Sequence, residues 1–579
     1  MVKKIIILLV SSLMVMSLLF ISCGTSEGDE TGTETGDGEF SDPKTPKYGG
    51  IHITMGTDPQ GFDPRVVMSH FTNTLPTTHE LLLTGDWSKG PAGTGETDWQ
   101  LGFLGRTDLF AGSLAESWEL VDDETIRYHI RKGVKWQDKS PVNGREFTAD
   151  DAVWNIDMEW TTEGSNLDIF FKEEDHLISV KKIDDWTIET KFPAHATAIH
   201  IMEDSCRILM LPPEITDMYG DQQDWRHSTG TGPYLLTDYV TGSHIVYEKN
   251  PNYWGNDPNH PENKLPYLDG IRQLIIPDQS SQLAAFRTGK IFNYTTTWEN
   301  AKDLLNQCPD LEYIETYGRG TALCGRVDKP ELPFKDVRVR QALNLAVDQQ
   351  EILDAYYEGH GYLKGWPFYP IKAHEPFFTP LEEMPEEVQE LFEYHPDKAK
   401  QLLAEAGYPN GFKTKATCSS ADADFMAMIR EYLLKVDIDM EIEPLEPSIY
   451  FSVMRARTHD EMIYKWTSMY WGPWLMHEVR ADSSDCVSFY EHERTLEVYD
   501  IINRNLGKND DYWIKKLKDL TPFMLEESWG IFLPVPSSYI MWWPWLQNYY
   551  GCTHVGYAEF GKYVFYVWMD TDMKKSMGY

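Results

Sequence analysis

Two histidine pairs are the first candidates for chemistry, because neutral imidazole is a common metal ligand. The pairs are His70 with His79 and His459 with His477. Neither pair has a metal-site spacing supported by cysteine or carboxylate partners. We therefore interpret them as dispersed surface histidines, and the sequence predicts no metal site and no cofactor.

Paired carboxylates could perform acid–base catalysis if they faced one another across a bond. Asp122 and Asp123 fall in a predicted turn, whereas Asp150 and Asp151 fall at a predicted helix start, where capping and the helix dipole account for acidic residues. The sequence contains neither an H-E-x-x-H motif nor a phosphate-binding glycine loop. These patterns do not indicate an enzyme, so no catalytic residue is predicted.

Aromatic residues are concentrated in two segments of the last fifth of the chain. The first segment holds Trp466, Tyr470, Trp471 and Trp474, and the second holds Tyr539, Trp542, Trp543 and Trp545. Aromatic faces bind sugar rings, apolar side chains or cations. The same density also fits packing in a core or an interface, so both interpretations stay open at this stage.

Short strand-like and helix-like stretches alternate along the chain without a fixed repeat, which predicts an α/β or α+β protein. Apolar residues alternate over Thr125–Arg131 as in a half-buried strand, and Phe147–Met158 has the pattern of an amphipathic helix. Asp336 can cap a further helix, and another is predicted between Pro396 and Gly407.

The N-terminus has the features of an export signal. Lys3 and Lys4 precede an apolar run from Ile5 to Ile21, as in a signal peptide of residues 1–23. Residues 24–47 are rich in Gly, Thr, Glu and Asp and are predicted to be a solvated tether. The folded body is therefore expected to begin near Tyr48.

Charge and cysteine content exclude several classes of partner. The formal net charge is −39, from 91 acidic and 52 basic residues, which argues against nucleic-acid binding and against adhesion to anionic lipid through a basic surface. Beyond Cys23, six cysteines are dispersed without a C-x-x-C motif. Some of them could pair outside the cytoplasm, and Cys308 with Cys324 is the nearest pair in sequence.

Several blocks, taken in order, resemble the solute-binding proteins of bacterial ABC importers in the peptide, nickel and oligosaccharide group. The most specific block begins with the residues L-A-E-S-W-E-L, and another block ends with the residues N-P-N-Y-W-G. The blocks are Tyr48–Pro64, Leu114–Ile156, Gly230–Gly255, Pro266–Ile291, Phe334–Leu353 and Tyr394–Phe412. The segment Phe20-Ile21-Ser22-Cys23-Gly24 likewise resembles the bacterial lipobox, although the commonest lipobox has Leu where Phe20 stands.

The resemblance implies an α/β fold, the type II periplasmic-binding-protein fold of cluster C, with two lobes, a third subdomain and a hinge of two segments. One lobe would comprise residues 48–60, 178–293 and 537–579, and the other residues 294–536. Residues 61–177 would form the inserted subdomain, with the hinge near Asn293 and Ser537. The chain is longer than the family pattern between Leu83 and Ala111, and this insertion is expected at the surface rather than at the cleft mouth.

The resemblance also implies where a ligand would bind. In peptide-binding relatives, an aspartate in a Trp-x-x-Asp-Tyr segment fixes the ligand's amine, but here Met469 stands at the aspartate position. A buried ammonium without a carboxylate partner is costly, so anchoring of a peptide amine is in doubt. The predicted ligand-binding residues are Trp466, Thr467, Ser468, Met469, Tyr470, Trp471, Met68, His70 and Tyr539.

The expected function is capture of an extracytoplasmic oligopeptide or oligosaccharide for a membrane permease and its cytoplasmic ATPase. The protein would be a monomer held at the cell envelope by a lipid on Cys23. One alternative is an exported sugar-polymer hydrolase, which would turn over its ligand. A second is a sensory or chaperone-like receptor, which would lack neighbouring genes for two permeases and two ATPases.

Lipidation of Cys23 predicts that the mature protein fractionates with membranes, because the acylated cysteine becomes its N-terminus. The Cys23→Ala variant is expected to accumulate unprocessed or to become soluble, as judged by cell fractionation and mass spectrometry of the N-terminus. Recovery of the wild-type protein in the medium, cleaved at another site, would favour plain secretion with an unmodified thiol.

Overall fold

The computed structural model describes residues 45–579 apart from 66–73, 103–105, 166, 169–170, 468–474 and 558. The predicted signal peptide, Cys23 and most of the tether lie outside these residues. At the end of the tether, Lys47 Nζ lies 2.9 Å from Asp570 Oδ1. Within the described ranges, no helix is long and apolar enough to cross a membrane.

The predicted opening strand is confirmed and begins a four-stranded sheet. Its strands, in spatial order, are Ile51–Gly56, Gly270–Ile275, His244–Lys249 and Tyr234–Val240. The first two strands are parallel, and the other neighbours are antiparallel. Because parallel strands need a long crossover, this sheet joins the start of the folded body to residues more than two hundred positions later.

A second, antiparallel sheet contains the predicted strand at Thr125. The order is Ala115–Leu120, Thr125–Ile130, Thr187–Lys191 and Ser179–Asp184. The helix Ala149–Thr161 contacts its last two strands, which confirms the predicted amphipathic helix. Asp151 forms a capping box with Thr148 and an ion pair with Arg145, as the capping interpretation of this acidic pair predicts.

A five-stranded sheet forms the centre of the later part of the chain, which we call the C-terminal sheet. Its order is Ile438–Leu445, Phe412–Ser419, Met462–Trp466, Thr321–Gly325 and Ile531–Leu533. The first three strands are parallel, and helices Ala423–Leu434 and Pro447–Ala456 connect them. Their carboxyl ends therefore share one edge of the sheet.

A further sheet, which we call the middle sheet, contains both predicted hinge positions. The strand Val535–Trp542 lies between Asn293–Thr296 and Glu312–Tyr317, and its start pairs with Gly361–Tyr362. Asn293 pairs with Trp542. Two short antiparallel pairs complete the strands: Leu83–Gly85 with Phe110–Gly112, and Leu546–Gln547 with Trp568–Met569.

The remaining helices cover these sheets. Asp336 caps its helix by accepting a hydrogen bond from Arg338 N, and Pro396 opens a helix that ends just before Gly407, as predicted. The other helices are Thr197–Ser205, Pro213–Tyr219, Gln279–Arg287, Trp298–Gln307, Val337–Leu345, Gln349–Glu351, Glu386–Glu390, Pro396–Glu405, Glu493–Asn505, Asp510–Glu526 and Thr571–Ser576.

The insertion at 83–111 is not the surface elaboration that the sequence suggested. Trp87 and Trp99 are 1% and 0% exposed, and the Trp87 ring stacks on Tyr566 at 4.6 Å between ring centroids. A Cβ on Gly85 would lie 2.4 Å from the backbone nitrogen of Gly556, so only glycine fits this close approach. Trp87, Trp99 and Phe110 of the insertion are thus part of the core.

Three of the four histidines considered as metal ligands are not at the surface, so the interpretation of these three as surface histidines was wrong. His79, His459 and His477 are buried, and burial lowers the pKa of each to about 4. His70 lies outside the described residues. The described cysteines, Cys206, Cys308, Cys324, Cys418, Cys486 and Cys552, are all free and buried, so the structure contains no Cys308–Cys324 bond.

Candidate functional site

The carboxyl edge of the C-terminal sheet is the strongest candidate for a ligand site. Its three parallel strands end there at Ser419, Leu445 and Trp466. In open α/β sheets, ligands bind in the crevice outside the carboxyl ends of the strands. Trp466 and Thr467, which the sequence nominates, therefore lie at the edge where the fold favours binding.

Trp466 belongs to a stack of aromatic rings and guanidinium groups. Its ring lies 6.0 Å from that of Phe451 at an interplanar angle of 24°. The guanidinium carbon of Arg319 lies 5.8 Å from the Trp466 ring, and that of Arg455 lies 5.4 Å from the Phe451 ring. Trp466 is half-buried and Phe451 is 45% exposed, so the stack presents a cationic and aromatic surface.

Arg319 is an exposed cation close to a second arginine, Arg455. It retains an exposed surface, yet desolvation by the surrounding protein lowers the pKa of its guanidinium, and the nearby Arg455 cation lowers it further. Arg455 is held by Asp485, with Nη1 and Oδ1 2.5 Å apart. A ligand carboxylate beside Arg319 would reduce the cost of this partly desolvated pair of cations.

Not all of the nominated residues are exposed at this edge. Thr467 is buried and donates its backbone N–H to Gly320 O at 2.8 Å. Tyr539 lies on the middle sheet, is 1% exposed and has its hydroxyl 2.7 Å from His360 Nδ1. The other nominated residues lie outside the described ranges: Ser468, Met469, Tyr470, Trp471, Met68 and His70.

The second aromatic segment is packed in the protein interior. Trp542 donates its indole N–H to Glu312 Oε2 at 2.7 Å, and Trp543 donates to Phe286 O at 2.8 Å. Trp543 and Trp545 stack at 4.7 Å, and both are buried. The packing interpretation accounts for these three tryptophans.

Sequence reasoning missed Arg319, Phe451 and Arg455. In the C-terminal sheet Thr321 pairs with Trp466, which brings Arg319 next to that ring. Phe451 and Arg455 share one face of the helix that follows Leu445. No local pattern indicates that Arg319 lies next to Trp466, because these two residues are more than a hundred positions apart.

A buried charge cluster lies between the helices Ala149–Thr161 and Thr197–Ser205. Arg207 pairs with Glu203 at 2.8 Å, and Trp160 donates its indole N–H to Asp204 at 3.0 Å. The adjoining cavity, lined in part by Glu159, has a volume of about 10 Å³. It is large enough for one water molecule at most, so this cluster is not the ligand chamber.

Glu159 in this cluster predicts a pH-dependent stability. Burial raises its pKa from 4.5 to about 7, and the nearby Arg207 and Arg65 cations only partly oppose this. The native protein therefore favours the protonated acid, and its stabilising effect is complete below pH 4.5 and lost as the pH rises through about 7. At about 1.4 kcal/mol per pKa unit, the loss is about 3 kcal/mol.

The free energy of unfolding of the Glu159→Gln variant is expected to be about 3 kcal/mol higher than that of wild type at pH 8. At pH 4.5 the two free energies of unfolding should be nearly equal. Urea denaturation at both pH values would measure this difference. Glu116→Gln, at an exposed position, is the control and should change neither value. A Glu159→Gln variant no more stable than wild type at pH 8 would show that the acid is charged and well paired.

Comparisons with known proteins give a consistent picture. Residues 110–480 match the family model described as "Bacterial extracellular solute-binding proteins, family 5 Middle". Heme-binding protein A of Haemophilus influenzae is 33% identical over 336 residues, which span 54% of this chain and 56%, or about half, of that protein. The dipeptide-binding protein of Escherichia coli is 28% identical over 397 residues, covering 63% of this chain and 68% of that protein.

Solved structures of low sequence identity share the fold. The periplasmic binding protein DppA from Helicobacter pylori, in complex with the peptide STSA, is 20% identical with a TM-score of 0.68, covering 90% of this chain and 99% of that one. The oligopeptide-binding protein AppA from Bacillus subtilis, in complex with a nonapeptide, is 19% identical with a TM-score of 0.66, covering 91% and 100%.

Proposed function

The chain belongs to the bacterial extracellular solute-binding proteins of family 5, and we propose that it captures a peptide for an ABC importer. Membership of this family means that it is a solute-binding protein rather than an enzyme, with the mixed α/β fold of type II periplasmic binding proteins. The observation that carries the proposal is the family match over residues 110–480, which includes Trp466 and the carboxyl edge of the C-terminal sheet.

We further propose that two lobes close over the solute. The lobes are residues 48–60, 178–293 and 537–579 on one side and 294–536 on the other, with 61–177 as the inserted subdomain. Adjacent pairing of the strands at Asn293 and Ser537 in the middle sheet supports a hinge there. The two chain crossings between the proposed lobes thus lie on neighbouring strands, as a hinge of two segments requires.

The side chains at the carboxyl edge favour recognition of a peptide that does not depend on its N-terminal amine. Met469 replaces the aspartate that fixes the amine in peptide-binding relatives, so a free N-terminus gains little here. Arg319 instead offers a guanidinium to a carboxylate, and the rings of Trp466 and Phe451 offer faces to apolar side chains. Neutral oligosaccharides could stack on the same rings but would gain no charge pairing with Arg319.

The cellular setting follows from the proposed role. Export by the signal peptide and lipidation of Cys23 would hold a monomeric receptor at the cell envelope, where it meets solute outside the cytoplasm. A membrane permease would take the solute from the closed receptor, and a cytoplasmic ATPase would drive transport. Because the ATPase is a separate chain, the receptor itself needs no nucleotide site.

Calorimetry with four ligands tests the proposed mode of recognition: the tetrapeptide Ser-Thr-Ser-Ala, its N-acetylated form, its C-terminal amide and cellotetraose. We expect the two forms with a free carboxylate to bind with similar affinity and the amide to bind about tenfold more weakly, a loss typical of one charged hydrogen bond. Arg319→Gln should abolish this difference, whereas Arg272→Gln, at an exposed site, should preserve it.

Two results of that panel would contradict the proposal. Binding that disappears on N-acetylation would show that an acid elsewhere supplies an amine anchor. Binding of cellotetraose alone would identify a sugar receptor.

Trp466→Ala is expected to weaken peptide binding about tenfold, since an aromatic contact is worth on the order of 1 kcal/mol. Trp542→Ala should weaken binding less but lower the melting temperature more, because Trp542 is 4% exposed and hydrogen-bonded to Glu312. Trp118→Ala, at a half-buried site on another sheet, is the control. A larger loss of affinity for Trp542→Ala than for Trp466→Ala would indicate that the ligand binds at the middle sheet instead.

A further inference from the structure

The insertion, residues 84–111, is fixed to the last section of the chain by three kinds of contact. Thr84 Oγ1 donates to Glu559 Oε2 at 2.5 Å, and Lys562 Nζ donates to Thr84 Oγ1 at 2.7 Å. Trp87 stacks on Tyr566, and the carbonyl of Trp99 accepts the backbone N–H of Thr553 at 3.0 Å. One side of the insertion is therefore part of the lobe that contains residues 537–579.

The other side of the insertion contacts the opposite lobe. Leu101 packs against a small cluster whose buried members are Tyr369 and Val535. Burial raises the pKa of the Asp98 carboxyl group, and the nearby backbone of Lys372 and Ala373 opposes this rise. All four of these partners fall within residues 294–536, so the insertion spans the proposed cleft.

A second contact with the opposite lobe lies at the end of the insertion. Thr107 Oγ1 donates to Asp510 Oδ2 at 3.1 Å, at the start of the helix Asp510–Glu526. A Cβ on Gly507 would lie 3.2 Å from Thr107 Cγ2 and 3.4 Å from Ile201 Cδ1, so the two lobes meet closely at this glycine. Gly507 also has a φ of +71°, which a side chain would strain.

Two ion pairs outside the insertion join the same parts of the chain. Lys508 Nζ lies 2.9 Å from Asp123 Oδ1, and Lys172 pairs with Asp482. In each pair one partner belongs to residues 61–177 and the other to residues 294–536. These exposed pairs contribute little individually, but they add contacts between the proposed inserted subdomain and the lobe of residues 294–536.

We propose that the insertion is an interlobe clasp, which holds the receptor closed and slows the escape of captured solute. The proposal rests on the proposed function, since it assumes that the lobes open and close about the hinge. Opening must withdraw Leu101 from its cluster, move Asp98 away from the backbone of Lys372 and Ala373, and break the hydrogen bond from Thr107 to Asp510. Because opening separates these contacts, they lengthen the lifetime of the closed state and leave the encounter with solute largely unchanged.

Three variants of the full-length protein test the clasp: Asp98→Ala, Thr107→Val and the matched control Asp108→Asn. Asp108 belongs to the same insertion, but its carboxylate pairs with Arg106 of the insertion, 2.6 Å away. The first readout is the radius of gyration of the ligand-free protein from small-angle scattering. The second is the dissociation rate of N-acetylated Ser-Thr-Ser-Ala from stopped-flow measurements, with melting temperatures to verify folding.

We expect each clasp variant to have a larger ligand-free radius than wild type and to release the peptide about tenfold faster, with an association rate within about twofold of wild type. Asp108→Asn should match wild type in both readouts. An unchanged radius and an unchanged dissociation rate in folded Asp98→Ala and Thr107→Val would overturn the clasp. If wild type binds no member of the panel, the proposed function fails, and the ligand-free radii alone then decide for or against the clasp.

Discussion

The pairing of one late strand with two earlier ones is the constraint on which the rest of this structure depends. Val535–Trp542 forms hydrogen bonds to Asn293–Thr296 on one side and to Glu312–Tyr317 on the other. This pairing returns the chain from the C-terminal sheet to the body in which it began. The last section can then pack under the insertion, and the opposite lobe can face it across the proposed cleft.

Desolvation determines how the charged groups of this acidic protein behave. The protein as a whole carries a large negative charge. The groups whose pKa values are most shifted nevertheless lie where the surrounding protein excludes water. Burial raises the pKa of Glu159 above that of an ordinary carboxyl group, and it lowers the pKa of Arg319. The first group is confined beside a cavity too small for a ligand, whereas the second retains exposed surface next to Trp466. Exposure and not pKa alone therefore makes Arg319, and not Glu159, a candidate for ligand binding.

The insertion shows how a departure from a family pattern can become part of the core. A long segment rich in Gly and Thr predicts a loop, because such composition buries little apolar surface. Its two tryptophans reverse that expectation, since each fills a buried site against the end of the chain. Gly85 in this segment serves a close backbone approach to Gly556 rather than flexibility.

The sequence by itself determined the family, the mixed α/β fold and the local elements. Helix caps at Asp336 and Pro396 and the strand at Thr125 depend on a few neighbouring residues, so their patterns are visible in the chain. Trp466 could be nominated because its segment resembles a ligand-contacting motif. The tertiary structure alone decided that Arg319 lies beside that ring, that His79 is buried and that the insertion packs against both Tyr566 and Tyr369. Each of these depends on contacts between residues far apart in sequence, and neither local propensity nor composition specifies such contacts.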